Sequence, residues 1–460
     1  MQHFHFIAIG GAVMHQLAAH LKQQGHTITG SDDAIFDPAK TNLEKLGLHP
    51  GAVGWFPEKI TKDIDAVILG MHAKADNPEL LKAQELGIRI YSFPEFVYEQ
   101  SKDKTRIAVA GSHGKTTITS MIMHMLRVNH TSFDYLVGAQ LAGFQTMVKT
   151  SPDAPFMVIE ADEYLTSPLD LRSKFLHYHP HIAIISGIAW DHINVFPTYE
   201  GYLETFRKFI DSIQPGGFLI YNQEDEELTG LVDGMRKDGR LPADKLHLIP
   251  YQPFENRVED DQCWLHFGAE RYPVQVFGSH NFSNLKAAFE VGKSVGLAET
   301  DILHSFETFE GAAKRLEKVY EDNDSNLTIF RDFAHAPSKL KATVKAVRER
   351  YARRNIIAVF ELHTYSSLQE NFIEQYAHSL DAADHRFLFL DAEALKIKNK
   401  QDLDAEWLKQ QFADDSIQVF KDTASLQAAI KAVTSRDCVI LLMSSGNFGG
   451  LSVGSLTESE

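Results

Sequence analysis

Short apolar runs alternate along the chain with longer stretches in which apolar residues recur at helical spacing. The run His3–Ile9 precedes a helical pattern over Ala12–Gln24, and Arg106–Ala110 precedes another over Ile118–Leu126. Strands that alternate with helices are typical of parallel sheets with right-handed crossovers. The pattern therefore predicts a protein of the α/β class.

This alternation falls into three blocks, which predict domains at 1–104, 105–313 and 314–460. The polar stretch Glu99–Lys104 is the predicted linker between the first two. The third block is expected to continue the alternation, with a helix over Gln369–Leu380 among its elements.

A glycine-rich turn, Gly111–Thr117, separates a predicted strand from a predicted helix. In that context the glycines let backbone N–H groups face a polyphosphate, and the helix N-terminus favours an anion. Lys115 would reach the β- and γ-phosphates, and the Thr116 hydroxyl would bind Mg²⁺. Val109 stands where the usual motif has its first glycine, so a simple turn with a surface lysine is the alternative. The predicted ATP contacts here are Gly111, Ser112, His113, Gly114, Lys115, Thr116 and Thr117.

Acidic and histidine side chains follow two further predicted strands. Glu160 opens the sequence Glu-Ala-Asp-Glu-Tyr at the end of the run Phe156–Ile159, and Asp191-His192 follows Ile182–Ser186. An acidic residue on a strand next to a phosphate loop commonly completes Mg²⁺ coordination. A solvated acidic loop and a structural Asp-His pair are the alternatives.

The first block carries a weaker nucleotide signal. Two glycines follow its first strand, and an acidic residue comes a little over twenty positions later, as in dinucleotide-binding turns. Ala8 and Val13 occupy positions where that motif has glycine, so a plain βα turn is equally supported. The predicted contacts to a nucleotide diphosphate are Gly10, Gly11, Ser31 and Asp32.

Two loops of the third block follow apolar strands, at the edge where open α/β sheets bind ligands. They are Glu361–Tyr365 and Ser444–Gly450, and the glycines of the second would let backbone N–H groups approach a carboxylate. Glycine-rich turns without a ligand are the alternative. The predicted peptide contacts are His363, Gly446 and Gly449.

The formal net charge of −17 argues against a nucleic-acid partner, because such partners favour basic surfaces. The two cysteines, Cys263 and Cys438, have neither disulfide-framework nor zinc-site spacing. No apolar run reaches transmembrane length, and the N-terminus begins with a strand pattern rather than a signal peptide. We therefore expect no membrane insertion and a cytoplasmic location.

Taken in order, these motifs resemble the ATP-dependent Mur ligases of peptidoglycan synthesis. The matching segments are Gly111–Thr117, Glu160–Glu163, Asp191-His192, Gly278–Asn284, Gly311–Arg315, Asp332–His335 and Ser444–Gly450. The resemblance implies three domains: a Rossmann-like domain for the UDP-sugar, a central P-loop ATPase domain, and a Rossmann-like C-terminal domain for the amine.

The resemblance also implies roles for residues. Lys115, Glu160 and His192 would be catalytic. One Mg²⁺ would be held by Thr116 and Glu160, and a second by Glu160 and His192. The adenine would lie at His280, Asn281 and Asn284, although helix capping alone explains Asn281. Arg315 and Asp332 would reach the γ-phosphate and the ribose.

Within the family, the first block resembles the branch that uses UDP-N-acetylmuramate. The segments Glu160–Tyr164 and Arg172–Tyr178 resemble the murein peptide ligases of peptidoglycan recycling, which add the tripeptide L-alanyl-γ-D-glutamyl-meso-diaminopimelate. The alternative within this branch is the biosynthetic addition of L-alanine. Outside the family, a small-molecule kinase or ATPase and a non-catalytic nucleotide-binding regulator are the competing hypotheses.

Overall fold

The computed structural model describes residues 1–460 except 142, 145, 191–194, 243–244, 313–314, 365, 369–371, 392–394, 396–402 and 458–460. The described strands are β1 His3–Ile7, β2 Thr27–Ser31, β3 Ala66–Leu69, β4 Arg89–Ser92, β5 Thr105–Ala110, β6 Phe133–Leu136, β7 Val148–Lys149, β8 Phe156–Glu160, β9 Leu165–Ser167, β10 Asp170–Ser173, β11 Ile182–Ile185, β12 Gly217–Asn222, β13 Leu246–Tyr251, β14 Glu255–Glu259, β15 Gln262–Phe267, β16 Glu270–Val274, β17 Glu317–Asp322, β18 Leu327–Asp332, β19 Asn355–Glu361, β20 His385–Phe389, β21 Gln418–Phe420 and β22 Cys438–Met443.

The described α-helices are α1 Met14–Gln23, α2 Ala39–Lys45, α3 Pro78–Glu85, α4 Phe93–Ser101, α5 Lys115–Val128, α6 Tyr199–Asp211, α7 Glu226–Lys237, α8 Ser279–Ser294, α9 Glu299–Glu307, α10 Pro337–Arg350, α11 Ala405–Phe412, α12 Thr423–Val433 and α13 Val453–Thr457. Short 3-10 helices cover Pro57–Lys59, Lys174–His177, Ser366–Leu368, Ile373–Tyr376 and Phe448–Gly450. No helix in these described ranges combines the length and apolar character needed to cross a bilayer.

The chain folds into two compact units. The first contains Met1–Gln252 and Ser283–Phe306, and the second contains Pro253–Phe282 and Glu307–Glu460. The predicted domain boundaries after residues 104 and 313 stay a prediction.

The first unit holds two sheets. The N-terminal sheet is parallel, in the order β2-β1-β3-β4. The larger sheet has the order β13-β12-β11-β5-β8-β6-β7, and its only antiparallel pair is β6 with β7. One hydrophobic core runs beneath both sheets, from Phe6 and Phe96 to Phe175 and Phe206. The strands on either side of β5 place their carboxyl ends beside the loop that follows it.

A buried guanidinium ties the two sheets of this unit together. Arg106, at the start of β5, is 3% exposed. It donates to the carbonyls of Ser101 and Lys102 at 2.9 Å each, Tyr178 at 2.7 Å and His179 at 2.9 Å. The linker after α4 is therefore fixed against the strand that leads into the glycine-rich loop.

The second unit contains an antiparallel sheet, β14-β15-β16, and a six-stranded sheet in the order β17-β18-β22-β19-β20-β21. Apart from β17, the strands of the larger sheet are parallel. The predicted α/β class with parallel sheets is confirmed.

The predicted helix over Gln369–Leu380 is wrong in its described part. Only a 3-10 turn, Ile373–Tyr376, forms there. The Tyr376 ring stacks on Phe412 with centroids 5.5 Å apart, and its hydroxyl donates to the His335 carbonyl. These tertiary contacts override the local helical pattern.

Candidate active site

The loop between β5 and α5 requires glycine at two positions. Gly111 has φ +122°, and a Cβ there would lie 2.4 Å from the Ser186 hydroxyl oxygen. Gly114 has φ +77°, and a Cβ would lie 2.6 Å from the Asn284 amide oxygen. Positive φ strains any residue with a side chain. Asn284, predicted at the adenine, thus lies against the phosphate-loop backbone.

Neighbouring elements hold the rest of this loop. The Ser112 amide donates to the Gly187 carbonyl at 2.9 Å, and the Ser112 hydroxyl lies 3.0 Å from the Tyr202 hydroxyl. The Ser186 hydroxyl donates to the His113 carbonyl. The residues just after β11 therefore shape the loop, a contribution that its own sequence does not reveal.

Lys115, the first residue of α5, turns back toward an acidic side chain. Its Nζ lies 2.7 Å from Glu163 Oε2 and donates to the Gly111 carbonyl at 2.8 Å. Lys115 is 16% exposed and Glu163 is fully buried. Burial opposes the charge of Lys115, but Glu163 and Asp162 outweigh it and raise the pKa of Lys115. The lysine is therefore charged at physiological pH.

Thr116 and Glu160 form an oxygen pair beside this lysine. The Thr116 hydroxyl donates to Glu160 Oε1 at 2.7 Å, and the Gly138 amide donates to Glu160 Oε2 at 2.7 Å. Hydroxyl and carboxylate oxygens are ligands that Mg²⁺ prefers, so these residues fit the predicted ion. Thr117, also predicted at ATP, is 6% exposed. His192 and its neighbour Asp191 lie outside the described residues.

Three or more His, Cys, Asp or Glu side chains do not converge in a metal-binding arrangement anywhere in the described ranges. The metal site is thus supported here by the Thr116–Glu160 pair alone.

The second unit holds the other predicted ATP contacts. Asn281 donates from its side-chain amide to the Phe277 carbonyl at 2.9 Å, as a residue in the first turn of a helix can. Burial lowers the pKa of the His280 imidazole to about 4, so the ring is neutral at pH 7. The Arg315 guanidinium lies 4.7 Å from the centroid of the Phe333 ring.

Asp332 ends β18 and is 6% exposed. It accepts hydrogen bonds from the Leu316 amide at 2.6 Å and the Ala334 amide at 2.7 Å. Burial raises the pKa of this carboxyl. Asp332 therefore organises the backbone around it in addition to any contact with a ligand.

A cavity of about 530 Å³ lies within the second unit. Asn281, Gly311 and Arg315 line it together with the aromatic residues Phe330 and Tyr351. The cavity thus brings two predicted nucleotide contacts to one concave surface whose walls include aromatic rings.

In the N-terminal sheet, the backbone amides of the predicted glycine turn already donate hydrogen bonds to other groups of the protein. The Gly10 amide donates to Asp32 Oδ2 at 2.7 Å, and the Gly11 amide donates to the Ala8 carbonyl at 3.4 Å. Asp32 is 6% exposed, and burial raises its pKa. Asp32 therefore holds the turn, which the spacing alone did not indicate.

Ser31 lies in a cluster of polar side chains, with Lys59 and Glu79, that the sequence did not predict. Lys59 donates to the Ser31 hydroxyl at 3.2 Å and lies 4.4 Å from the Phe56 ring centroid. Glu79 is fully buried; burial opposes its charge, but hydrogen bonds from His5 and Ser31 lower its pKa. In the sequence Glu79 follows Asn77-Pro78, which indicates only the acidic first turn of a helix.

The predicted peptide contacts lie at the carboxyl edge of the larger sheet of the second unit. The His363 Nδ1 atom is 3.2 Å from the Ser445 hydroxyl, and a Cβ on Gly446 would lie 2.8 Å from His363 Cδ2. Gly449 has φ +60°, and a Cβ there would lie 2.6 Å from the Thr423 hydroxyl oxygen. His363 and Gly446 are therefore direct neighbours, whereas Gly449 packs toward Thr423.

Family models match most of the chain. Residues 3–105 match "Mur ligase family, catalytic domain", residues 109–292 match "Mur ligase middle domain", and residues 314–446 match "Mur ligase, glutamate ligase domain".

Individual proteins extend this likeness. The UDP-N-acetylmuramate–L-alanine ligase of Caldicellulosiruptor bescii is 32% identical over 413 residues, 87% of this chain and 86% of that protein. The UDP-N-acetylmuramate–L-alanyl-γ-D-glutamyl-meso-2,6-diaminoheptandioate ligase of Haemophilus influenzae is 28% identical over 463 residues, 98% of each chain. The crystal structure of the UDP-N-acetylmuramate–alanine ligase of Thermotoga maritima superposes with a TM-score of 0.71 at 19% identity, covering 99% of this chain and 97% of that one. At 19% identity, the similarity to the T. maritima structure concerns the fold alone.

Proposed function

This chain belongs to the Mur ligase family of ATP-dependent, amide-forming ligases, and we propose that it acts in peptidoglycan recycling. The proposed reaction joins the carboxylate of UDP-N-acetylmuramate to the amine of L-alanyl-γ-D-glutamyl-meso-diaminopimelate, with release of ADP and phosphate. Membership of a ligase family sets aside the kinase and regulator hypotheses.

One observation carries the choice of the tripeptide. The two segments that resemble murein peptide ligases, Glu160–Tyr164 and Arg172–Tyr178, pack together beside Lys115. Asp162 and Lys174 form an ion pair at 2.9 Å, and the Lys174 amide donates to the Tyr164 carbonyl at 2.8 Å. The relative from H. influenzae, named for this tripeptide, matches along 98% of both chains, which supports the same choice.

Addition of free L-alanine is the second candidate. The relatives from C. bescii and T. maritima carry that activity in their names, and the first of them is 32% identical to this chain. The two candidates share the UDP-sugar, ATP and the chemistry, and they differ only in the amine.

The chemistry follows from the substrates. A free carboxylate cannot form an amide at a useful rate, because its oxygen is a poor leaving group. Transfer of the γ-phosphoryl group of ATP to the carboxylate gives an acyl phosphate and ADP. The neutral amine then attacks the acyl carbon, the C–N bond forms, and the C–O bond to phosphate breaks as phosphate leaves.

Lys115 supplies positive charge to the phosphoryl transfer, where charge spreads over the equatorial oxygens. Glu163 and the Gly111 carbonyl accept two hydrogen bonds from its ammonium group, so one of the three N–H donors can face a phosphate oxygen of ATP. The loop amides of Gly111–Thr117 would face the polyphosphate, held in shape by Ser186 and Gly187.

Thr116 and Glu160 would hold one Mg²⁺, and Glu160 and His192 a second. When bound, these ions would neutralise charge on the phosphate oxygens. Without the ions, the Glu160 carboxylate stays in place through its bonds to Thr116 and Gly138.

The adenine would lie at His280, Asn281 and Asn284, and Arg315 and Asp332 would reach the γ-phosphate and the ribose. The UDP-sugar would bind at Gly10, Gly11, Ser31 and Asp32, and the peptide at His363, Gly446 and Gly449. A cytoplasmic location fits this proposal, because ATP and UDP-linked sugars are made there.

The test is phosphate release from ATP in the presence of UDP-N-acetylmuramate, with free L-alanine compared with the tripeptide as amine. We expect a higher kcat/KM for the tripeptide. A higher kcat/KM for L-alanine would replace the recycling reaction by the biosynthetic one. Reactions without UDP-N-acetylmuramate and reactions without amine are the controls.

A further inference from the structure

Glu361 is a buried carboxylate at the carboxyl edge of the six-stranded sheet. It is the last residue of β19, and the neighbouring strand β22 ends at Met443, the register partner of Phe360. Glu361 is 1% exposed. Open α/β sheets bind their ligands at this edge.

The carboxylate accepts hydrogen bonds, but no cation from the described residues pairs with it. Its Oε2 atom accepts from the Ser444 hydroxyl and from the Phe448 amide, the latter at 2.9 Å. In the part of the chain that the structure describes, no Lys, Arg or His nitrogen comes within ion-pairing distance of either Glu361 oxygen. Buried charges are usually paired, because desolvation of an isolated carboxylate is costly.

The backbone of Gly446 lies close to both the Glu361 carboxylate and the His363 ring, and only glycine fits there without a shift of these side chains. A Cβ at Gly446 would lie 2.8 Å from Glu361 Oε2 and 2.8 Å from His363 Cδ2. Two predicted peptide contacts, His363 and Gly446, thus border a carboxylate that the sequence did not single out as a contact.

We propose that the Glu361 carboxylate binds an ammonium group of the amine substrate and so contributes to substrate specificity. The proposal rests on the proposed ligase function. The tripeptide carries two ammonium groups, one on alanine and one on the distal end of diaminopimelate, whereas free L-alanine carries one. An ammonium group supplies both the missing positive charge and N–H donors for Glu361 Oε1.

The competing explanation is that Glu361 only anchors the loop after β22 through Ser444 and Phe448. Glu361→Gln separates the two roles. Glutamine keeps the size of the side chain and an oxygen that accepts both hydrogen bonds, but it removes the charge. Ser444→Ala is the matched control, because it removes a hydrogen bond to the same carboxylate and leaves the charge.

The experiment measures KM and kcat of the full-length native enzyme and of both variants with L-alanine, with the tripeptide, and with a tripeptide whose distal amine is replaced by hydrogen. Loss of a charge-assisted hydrogen bond should raise the KM for the amine about 10- to 100-fold in Glu361→Gln. The KM values for ATP and UDP-N-acetylmuramate should not change. Ser444→Ala should change the KM for the amine much less.

The amine series identifies which ammonium group binds. A raised KM for both L-alanine and the tripeptide assigns the α-ammonium group, whereas a raised KM for the intact tripeptide alone assigns the distal one. In the latter case the native enzyme should also discriminate against the modified tripeptide, and Glu361→Gln should not.

An active Glu361→Gln enzyme with an unchanged KM for every amine would overturn this inference and leave the ligase function intact. Equal increases in Glu361→Gln and Ser444→Ala would likewise assign Glu361 to loop structure. If no amine supports phosphate release by the native enzyme, the ligase function fails, and this inference fails with it.

Discussion

Lys115→Met should reduce turnover and stability together, and a second substitution should restore only stability. The native ammonium group lies 2.7 Å from a fully buried Glu163 carboxylate. Methionine keeps most of the side-chain volume but removes the ammonium group of this ion pair. Loss of the cation that faces the phosphates should lower turnover by about 10³-fold or more.

The stability loss can be estimated from burial. Removing one partner of a fully buried ion pair costs about 3–5 kcal/mol. Because Lys115 is 16% exposed, water screens the pair in part, and we expect about 2–4 kcal/mol. Adding Glu163→Gln to Lys115→Met also removes the buried negative charge of this pair, so most of the loss in stability should be recovered.

Denaturant unfolding of the native chain, the two single variants and the double variant gives the coupling free energy, and phosphate release gives turnover. A Lys115→Met variant as stable as the native chain at pH 8 would refute the argument that this contact stabilises the fold. Recovery of turnover in the double variant would refute the role of Lys115 at the phosphates.

Two further predictions concern Glu160 and Gly446. Glu160→Gln should raise the Mg²⁺ concentration for half-maximal turnover by about tenfold or more, because a neutral amide is a weaker Mg²⁺ ligand than a carboxylate. The native Glu160 carboxylate lies 2.7 Å from the Thr116 hydroxyl, its proposed partner at the ion. A Mg²⁺ titration with an unchanged midpoint would contradict the metal role of Glu160. Gly446→Ala should raise the KM for the amine, because its methyl group would lie 2.8 Å from Glu361 Oε2. Gly234→Ala, on α7, would meet no atom within 4 Å and has no positive φ, so it serves as the control. Equal KM values for the two alanine variants would count against a peptide site at Gly446.

The parts of the fold that follow a strong local pattern could be predicted from the sequence. β5, the glycine turn and α5 combine an apolar strand, residues with obligatory positive φ and an apolar helix face, so each signal supports the others. By contrast β14 was not predicted, because every residue of Glu255–Glu259 is exposed and all but Val258 are polar. Its pairing with β15 depends on backbone hydrogen bonds, which leave no pattern in the side chains.

The candidate active site likewise has features that the sequence predicted and features that it did not. Three acidic residues, Glu160, Asp162 and Glu163, lie within four positions at the end of β8, and the sequence predicted a role for Glu160 alone. In the structure Glu160 bonds to Thr116, Asp162 to Lys174 and Glu163 to Lys115. These pairings depend on how the chain turns after the strand, which is set by contacts distant in sequence.

The hydrogen bonds from the Arg106 guanidinium to backbone carbonyls have a thermodynamic consequence for substrate binding. A linker without such bonds would sample many conformations, and ordering it would consume part of the binding free energy of each substrate. Here the guanidinium already joins the C-terminal end of α4 and the start of β5 to the segment at Tyr178 and His179. These hydrogen bonds restrict the segment between the proposed UDP-sugar and phosphate sites, so substrate binding need not lose entropy in ordering it.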